Sequence, residues 1–255
     1  MTLITLPVPV DAAIGRAEQL LQAVSGDPWD EAEMLQPLSK LYAYAGRFAD
    51  AKEAIARAVS VYGRSEAVWD YALAVVRAGE IELIAADPAA AEPLLRKACE
   101  ALRALQDRGF LSSAVATLAE AVYLQGRLGE AEQMTEESET LAFGEDIDAQ
   151  TRWRATRAKV LARHDQFPAA RQLADEAVTL VSKTSNAALL AEALMAKAEV
   201  SRLAGADDQT TASLRAALQI YEDRHAMPLA ERAKTALASL TAQPGTRPAQ
   251  TLPAD

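Results

Sequence analysis

Three basic side chains carry the clearest chemistry in this sequence. Arg152, Lys159 and Arg163 are seven and then four residues apart, so they share one stripe of a helix. Tyr123 and Leu124, in the repeat unit before them, add apolar contact, and Glu120 precedes both on the same element. Such a set suits charge-assisted hydrogen bonds to an acidic peptide or a phosphate-bearing ligand. The competing reading is a brace. Groove-facing positions of successive units give the row Lys40, Glu80, Glu120, Lys159 and Glu199, and one turn on the row Tyr44, Ile84, Leu124, Arg163 and Leu203. The first row, taken whole, reads more simply as ion pairs between neighbouring helices, each worth little if exposed.

Other reactive residue types fall short of a site. His164 and His225 are 61 residues apart, and neither sits in a metal-ligand spacing. His164 follows Arg163 at an expected helix end, where an imidazole commonly meets free carbonyls. Cys99 stands beside the small residue Ala98, which points to packing and not to a nucleophile. Glu130, Glu132, Glu136, Glu137 and Glu139, followed by Glu145, Asp146 and Asp148, are spread along one helix and the start of the next. That is a solvated face with acids at a helix N-terminus, not a calcium loop. Trp153 with Arg152, Arg154 and Arg157 is an aromatic–basic group that cation–π stacking on the helix surface explains. Trp29 and Trp69, near helix starts, are expected in the core or at elbows. No residue is assigned a catalytic, cofactor-binding or metal-binding role.

The elements that position these residues are helices. Half of the residues are apolar but only 5% are aromatic, and alanine, the best helix former, recurs throughout. The net charge of −10 disfavours binding to a phosphate backbone. A single cysteine suits a reducing cytosol, and no apolar run reaches the roughly 18 to 20 residues that would span a bilayer. Met1 to Val10 lacks the basic flank and cleavage site of a signal peptide. A cytoplasmic location, with neither nucleic acid nor membrane as direct partner, is therefore expected.

An internal period organises the chain. The segments beginning at Ala45, Ala85, Gln125, His164 and Ala204 align without gaps. Their turn residues, Gly46, Ala86, Gly126, Asp165 and Gly205, are spaced by 40, 40, 39 and 40. Five residues beyond each lie Ala51, Ala91, Ala131, Ala170 and Thr210, and seven further on Ala58, Ala98, Ser138, Ala177 and Ala217. Small residues at that spacing share the face of a helix where two backbones must come close. Phe48, Pro88, Leu128 and Phe167 are placed to plug each elbow. Each unit is thus a helix, a tight turn and an antiparallel helix that must stack on its neighbours.

The expected fold is all-α, a tetratricopeptide-like right-handed superhelix with about 40 residues per repeat, against about 34 in the usual repeat. HEAT-like stacking is the alternative. Helices are expected at 10–24, 28–45, 49–62, 66–85, 88–107, 111–125, 128–142, 146–164, 168–183, 186–204, 208–224 and 227–240. Residues 1–240 form one domain of about six helix pairs, and 241–255, with three prolines, a disordered tail. The first helix (Val10, Ile14, Ala17, Leu20) matches the second helix of a unit whose first helix is missing. Pro37 should kink its helix or mark its first turn.

A family resemblance rests on A-A-D-P-A-A-A-E-P-L-L-R, D-R-G-F-L-S-S, Y-L-Q-G-R-L-G-E-A-E, D-I-D-A-Q-T-R-W-R-A-T-R-A-K-V-L-A-R and A-E-V-S-R-L-A-G. These stretches resemble the C-terminal helical-repeat region of large bacterial regulators. Those regulators join a class III adenylate or guanylate cyclase domain, or a helix-turn-helix domain, to an AAA-type ATPase. The resemblance covers roughly residues 8–240 and is strongest from Asp107 to Arg163. It implies a tail that senses or docks something, with a protein or peptide partner such as an ATPase or cyclase. No catalytic residue carries over, and the G-x-x-x-x-G-K-[ST] phosphate loop is absent. The function expected is a non-catalytic interaction or regulatory module in bacterial signalling or transcription control, with an effector-binding sensor as the alternative and an enzyme ranked last.

Overall fold

The computed structural model describes residues 8–241. Met1–Pro7 and residues 242–255, nearly all of the expected tail, lie outside the described residues. Among the described residues there are twelve α-helices and no strand. They are α1 (Val10–Ala23), α2 (Pro28–Tyr44), α3 (Phe48–Arg64), α4 (Val68–Ile84), α5 (Pro88–Ala104) and α6 (Arg108–Leu124), then α7 (Leu128–Leu141), α8 (Ile147–Arg163), α9 (Phe167–Val181), α10 (Ala187–Leu203), α11 (Asp207–Asp223) and α12 (Met227–Thr241). The tightest packing joins α2 to α3, α4 to α5, α6 to α7, α8 to α9 and α10 to α11. These five hairpins carry the repeat, with α1 against α2 at one end and α12 against α11 at the other.

Local chemistry sets the helix ends. Asp27, Asp107, Asp146 and Asn186 cap the first helices of their hairpins, each side chain accepting a backbone N–H of the first turn. The five expected elbow residues all adopt the left-handed conformation, from φ 59° at Asp165 to 81° at Gly126. Beside each, the next N–H reaches back to close the last turn, as when Arg47 N donates to Tyr42 O at 2.8 Å. The same conformation occurs at Gly26, Glu66, Gln106 and His225, so that left-handed turns recur every 20 residues from Gly26 to Gly126. That half-period corrects two expected helices. The one drawn over 88–107 stops at Ala104, because Gln106 turns left-handed and Asp107 caps α6, and the one drawn from 66 starts at Val68.

All ten small positions of the second helices are buried, from Ala51 and Ala58 through to Thr210 and Ala217. One residue departs from expectation, and one alternative for another is excluded. Leu20 is 43% exposed, while Val10, Ala13, Ile14 and Ala17 of α1 are buried and Leu21 packs against the core. Pro37 lies deep inside α2, not in its first turn.

The array curls until its ends meet. Val10 N donates to Arg224 O at 2.9 Å, and Asp11 Oδ2 faces His225 Nδ1 at 2.8 Å. One apolar cluster joins Ile14 of α1, Leu38 of α2 and Ile81 of α4 to Tyr221 of α11 and Leu229 of α12. Arg232 of α12 donates to the Leu83 and Ile84 carbonyls at the end of α4.

Left-handed backbone costs a residue with a Cβ about 1 to 2 kcal/mol. Ala86, at φ 63°, occupies the position held by glycine at residues 46, 126 and 205. Ala86→Gly should therefore raise the stability by about 1 kcal/mol in urea denaturation. An unchanged or lower midpoint would show that the turn is not strained.

Candidate functional site

Curling places the inner faces of the first helices around a channel. It holds two connected hollows, of about 420 and 870 Å³, which share Lys40, Glu80, Arg152, Leu189 and Glu192 as lining. The shared residues form a charged waist. Glu80 accepts from Lys40 Nζ at 3.1 Å and from Arg77 Nη1 at 2.5 Å, with Arg152 Nη2 at 3.8 Å. Arg152 also pairs with Asp148 at 2.8 Å and Glu192 at 3.0 Å. Burial opposes ionisation of Glu80, but Lys40, Arg77 and Arg152 outweigh it and hold its carboxyl down to about 2.

A second network lies along the smaller hollow. Lys159 Nζ donates to both oxygens of Glu120 at 2.5 Å and sits 4.4 Å from the centre of the Tyr123 ring. The Thr156 hydroxyl also donates to Glu120, at 2.9 Å. Tyr123 in turn donates its hydroxyl to Glu199 at 2.6 Å, and Arg163 donates to both at 3.2 Å. Burial, reinforced by Glu199, pushes the Tyr123 phenol well up, so it remains a donor.

The structure brings the six sequence-derived residues to one place. Glu120, Leu124, Arg152 and Lys159 line the smaller hollow directly, while Tyr123 and Arg163 reach it through Glu199. Their state differs from the expectation of an exposed basic spot. Lys159 is only 5% exposed, and each of the three cations already has a carboxylate, because the curl presses neighbouring inner faces together. The row beginning at Lys40 therefore pairs between neighbouring helices, as the bracing reading has it, but most of its members are shielded from water. Leu124 is 50% exposed and can meet a ligand.

Sequence reasoning passed over Glu192 and Arg232. Both follow Arg152 at steps of 40, so the same period carried the signal. Elsewhere, Trp153 is buried at 3% exposure, stacked with the Arg154 and Arg157 guanidiniums at 4.1 and 4.6 Å, not on the surface. Arg154 and Arg157 pair with Glu176 and Glu139, so they are no part of the channel patch. Trp69 is not core. It is 40% exposed, edge-on to exposed Phe110 at 5.2 Å, with Nε1 donating to Asp107. Cys99 is buried, and burial pushes its thiol up to about 12. Glu130, Glu137 and Glu139 of α7 pair with Arg96 and Arg127, with Arg103 and with Arg157, and Asp146 is a helix cap. No group of three metal-ligating side chains is placed to hold an ion among the described residues.

The sequence matches no protein-family model and no curated protein. Solved structures share the fold. A Rap protein complexed with Competence and Sporulation Factor superposes with a TM-score of 0.62 at 14% identity, covering 91% of this chain and 69% of that one. The apo form of the quorum sensor NprR from B. thuringiensis gives 0.59 at 11% identity, over 91% and 64%. A signal transduction ATPase with a tetratricopeptide repeat sensor, from Pyrococcus horikoshii, gives 0.60 at 13% identity, over 91% and 36%. The chain is thus an all-α solenoid of the tetratricopeptide-like class. No helix among the described residues is long and apolar enough to cross a membrane.

Breaking a buried ion pair by removing one partner typically costs about 3 to 5 kcal/mol. Glu80→Gln should lower stability at pH 7 by about 3 kcal/mol, since it leaves Lys40 and Arg152 short of a partner. The sign with pH follows from the depressed carboxyl. Its contribution is complete above the unfolded value near 4.5 and fades as pH falls toward about 2. The gap between wild type and Glu80→Gln should therefore close between about pH 5 and 2. A gap that is constant over this range would contradict the ionic waist.

Proposed function

We propose that this chain is a non-catalytic regulatory module that takes up a short peptide segment inside its channel. The supporting observation is the channel itself: apolar walls, two fixed charge networks, and no group of metal ligands among the described residues. Fixed charges orient a bound segment without reacting with it. Phe110 and Phe143 line the wider hollow and are about half exposed. Exposed aromatics beside a polar cleft are what a partner segment uses as anchors. Glu120, Tyr123, Leu124, Arg152, Lys159 and Arg163 then act as the inner wall that reads the segment.

The Rap structure holds Competence and Sporulation Factor, and the archaeal ATPase carries a tetratricopeptide sensor. Both are compatible with sensing by this fold, and the proposal takes the reader of the bound state to be a separate ATPase or cyclase in bacterial signalling. A small-molecule effector is the second reading. The observation favouring it is the size of the inner hollow, about 420 Å³, near the lower end of ordinary ligand pockets.

Ala155 lines the inner hollow, and a tryptophan there would fill it. A random heptapeptide library displayed on phage should yield binders to the wild type, and Ala155→Trp should lose them by about tenfold or more. Helicity and Tm should persist in the variant. Binders that bind Ala155→Trp equally well, or a library that gives none, would overturn the proposal.

A further inference from the structure

The inner hollow is not electrically balanced. Its lining carries five cations, Lys40, Arg152, Lys159, Arg202 and Arg232, against four carboxylates, Glu80, Glu120, Glu192 and Glu199. Lys40, Arg152 and Lys159 are matched by those carboxylates and Asp148. Arg202 and Arg232 have no carboxylate partner among the described residues. Arg232 is partly buried, and among the described residues its side-chain hydrogen bonds go to the carbonyls of Leu83 and Ile84. Burial lowers its pKa, with only Tyr221 acting against that. A cation kept from water beside neutral oxygens is a place where an incoming anion gains most. The same hollow is walled by Ile84, Leu214, Tyr221 and Leu229.

We propose that the inner hollow recognises a carboxylate carried on a short apolar chain, with Arg232 and Arg202 holding the carboxylate and the Ile84, Leu214 and Leu229 side chains enclosing the apolar part. The occupant that fits the function proposed above is the free C-terminus of an apolar peptide, and the inference rests on that reading. A fatty acid presents the same chemistry. An internal acidic side chain does not, since its flanking backbone would have to pass both walls of a hollow of about 420 Å³.

Isothermal titration separates these cases with four probes: an N-acetylated alanine–leucine–leucine tripeptide, its C-terminal amide, decanoate and decanol. The free-acid tripeptide should bind, and the amide about tenfold more weakly or not at all. Arg202→Gln should weaken the acid by about tenfold while leaving Tm unchanged, because Arg202 is exposed and braces nothing. Arg232→Lys keeps the charge near α4 and should also weaken the acid, with helicity retained as the control for folding. Equal binding of acid and amide would overturn the carboxylate clamp while leaving peptide uptake standing. Binding of decanoate but not of decanol or of either peptide would support the clamp and overturn the peptide reading. No binding by any probe, or binding of the acid that is indifferent to Arg202→Gln, would overturn the clamp.

Discussion

Everything that makes this solenoid more than a stack of hairpins depends on the joint between its ends. A hairpin of two helices cannot bury its apolar face alone, so each unit leans on the next. In an open array the terminal faces would remain wet. Here α12 packs on α2 and reaches the end of α4 through Arg232, while the α11–α12 turn meets α1, with Val10 bonded to Arg224 and Asp11 facing His225. Closure draws the inner faces of α2, α4, α6, α8 and α10 together, and their charges must then be matched across the channel. Glu80 shows the consequence: its carboxyl meets cations from α2, from its own helix and from α8.

The ion networks are therefore products of curvature, and they differ from surface pairs in kind. Exposed pairs contribute little and are screened by salt. Lys40, Glu80, Arg152 and Lys159 sit where water is scarce, so each is held chiefly by the others. Such a lattice fixes the channel walls in one arrangement. It also leaves an electrical remainder, Arg202 and Arg232, in the lining of the inner hollow. Pre-organised walls with a localised surplus charge favour ligands that bring an anion and little else that needs solvation.

Much of this was legible in the sequence, for physical reasons. A small residue such as Ala51, Ala91, Ala131, Ala170 or Thr210 is required wherever two backbones approach, so the period shows in residue type. Glycine marks left-handed turns at residues 46, 126 and 205, but Glu66, Gln106 and His225 make the same turn with side chains that give no such sign. The alternate turns, and with them the exact ends of α4 and α5, were hidden for that reason. Register puts Glu120, Tyr123, Leu124, Arg152, Lys159 and Arg163 on the inner side of the array, and four of them line the smaller hollow. Register says which way a side chain points, however, and not how far the array bends. The burial of Lys159 and the contact of the α11–α12 turn with α1 depend on small angles accumulated over five hairpins, which no local motif encodes.

Closure is open to direct measurement. Asp11 and His225 are exposed, lie on the two ends of the array, and face each other at 2.8 Å. Nitroxide labels on cysteines at these positions, in a Cys99→Ala background, report their separation by electron paramagnetic resonance. A closed array gives a doubly labelled spectrum strongly broadened by dipolar coupling relative to the sum of the singly labelled spectra. A doubly labelled spectrum that superposes on that sum would mean that the ends are apart, and that the channel does not exist in solution.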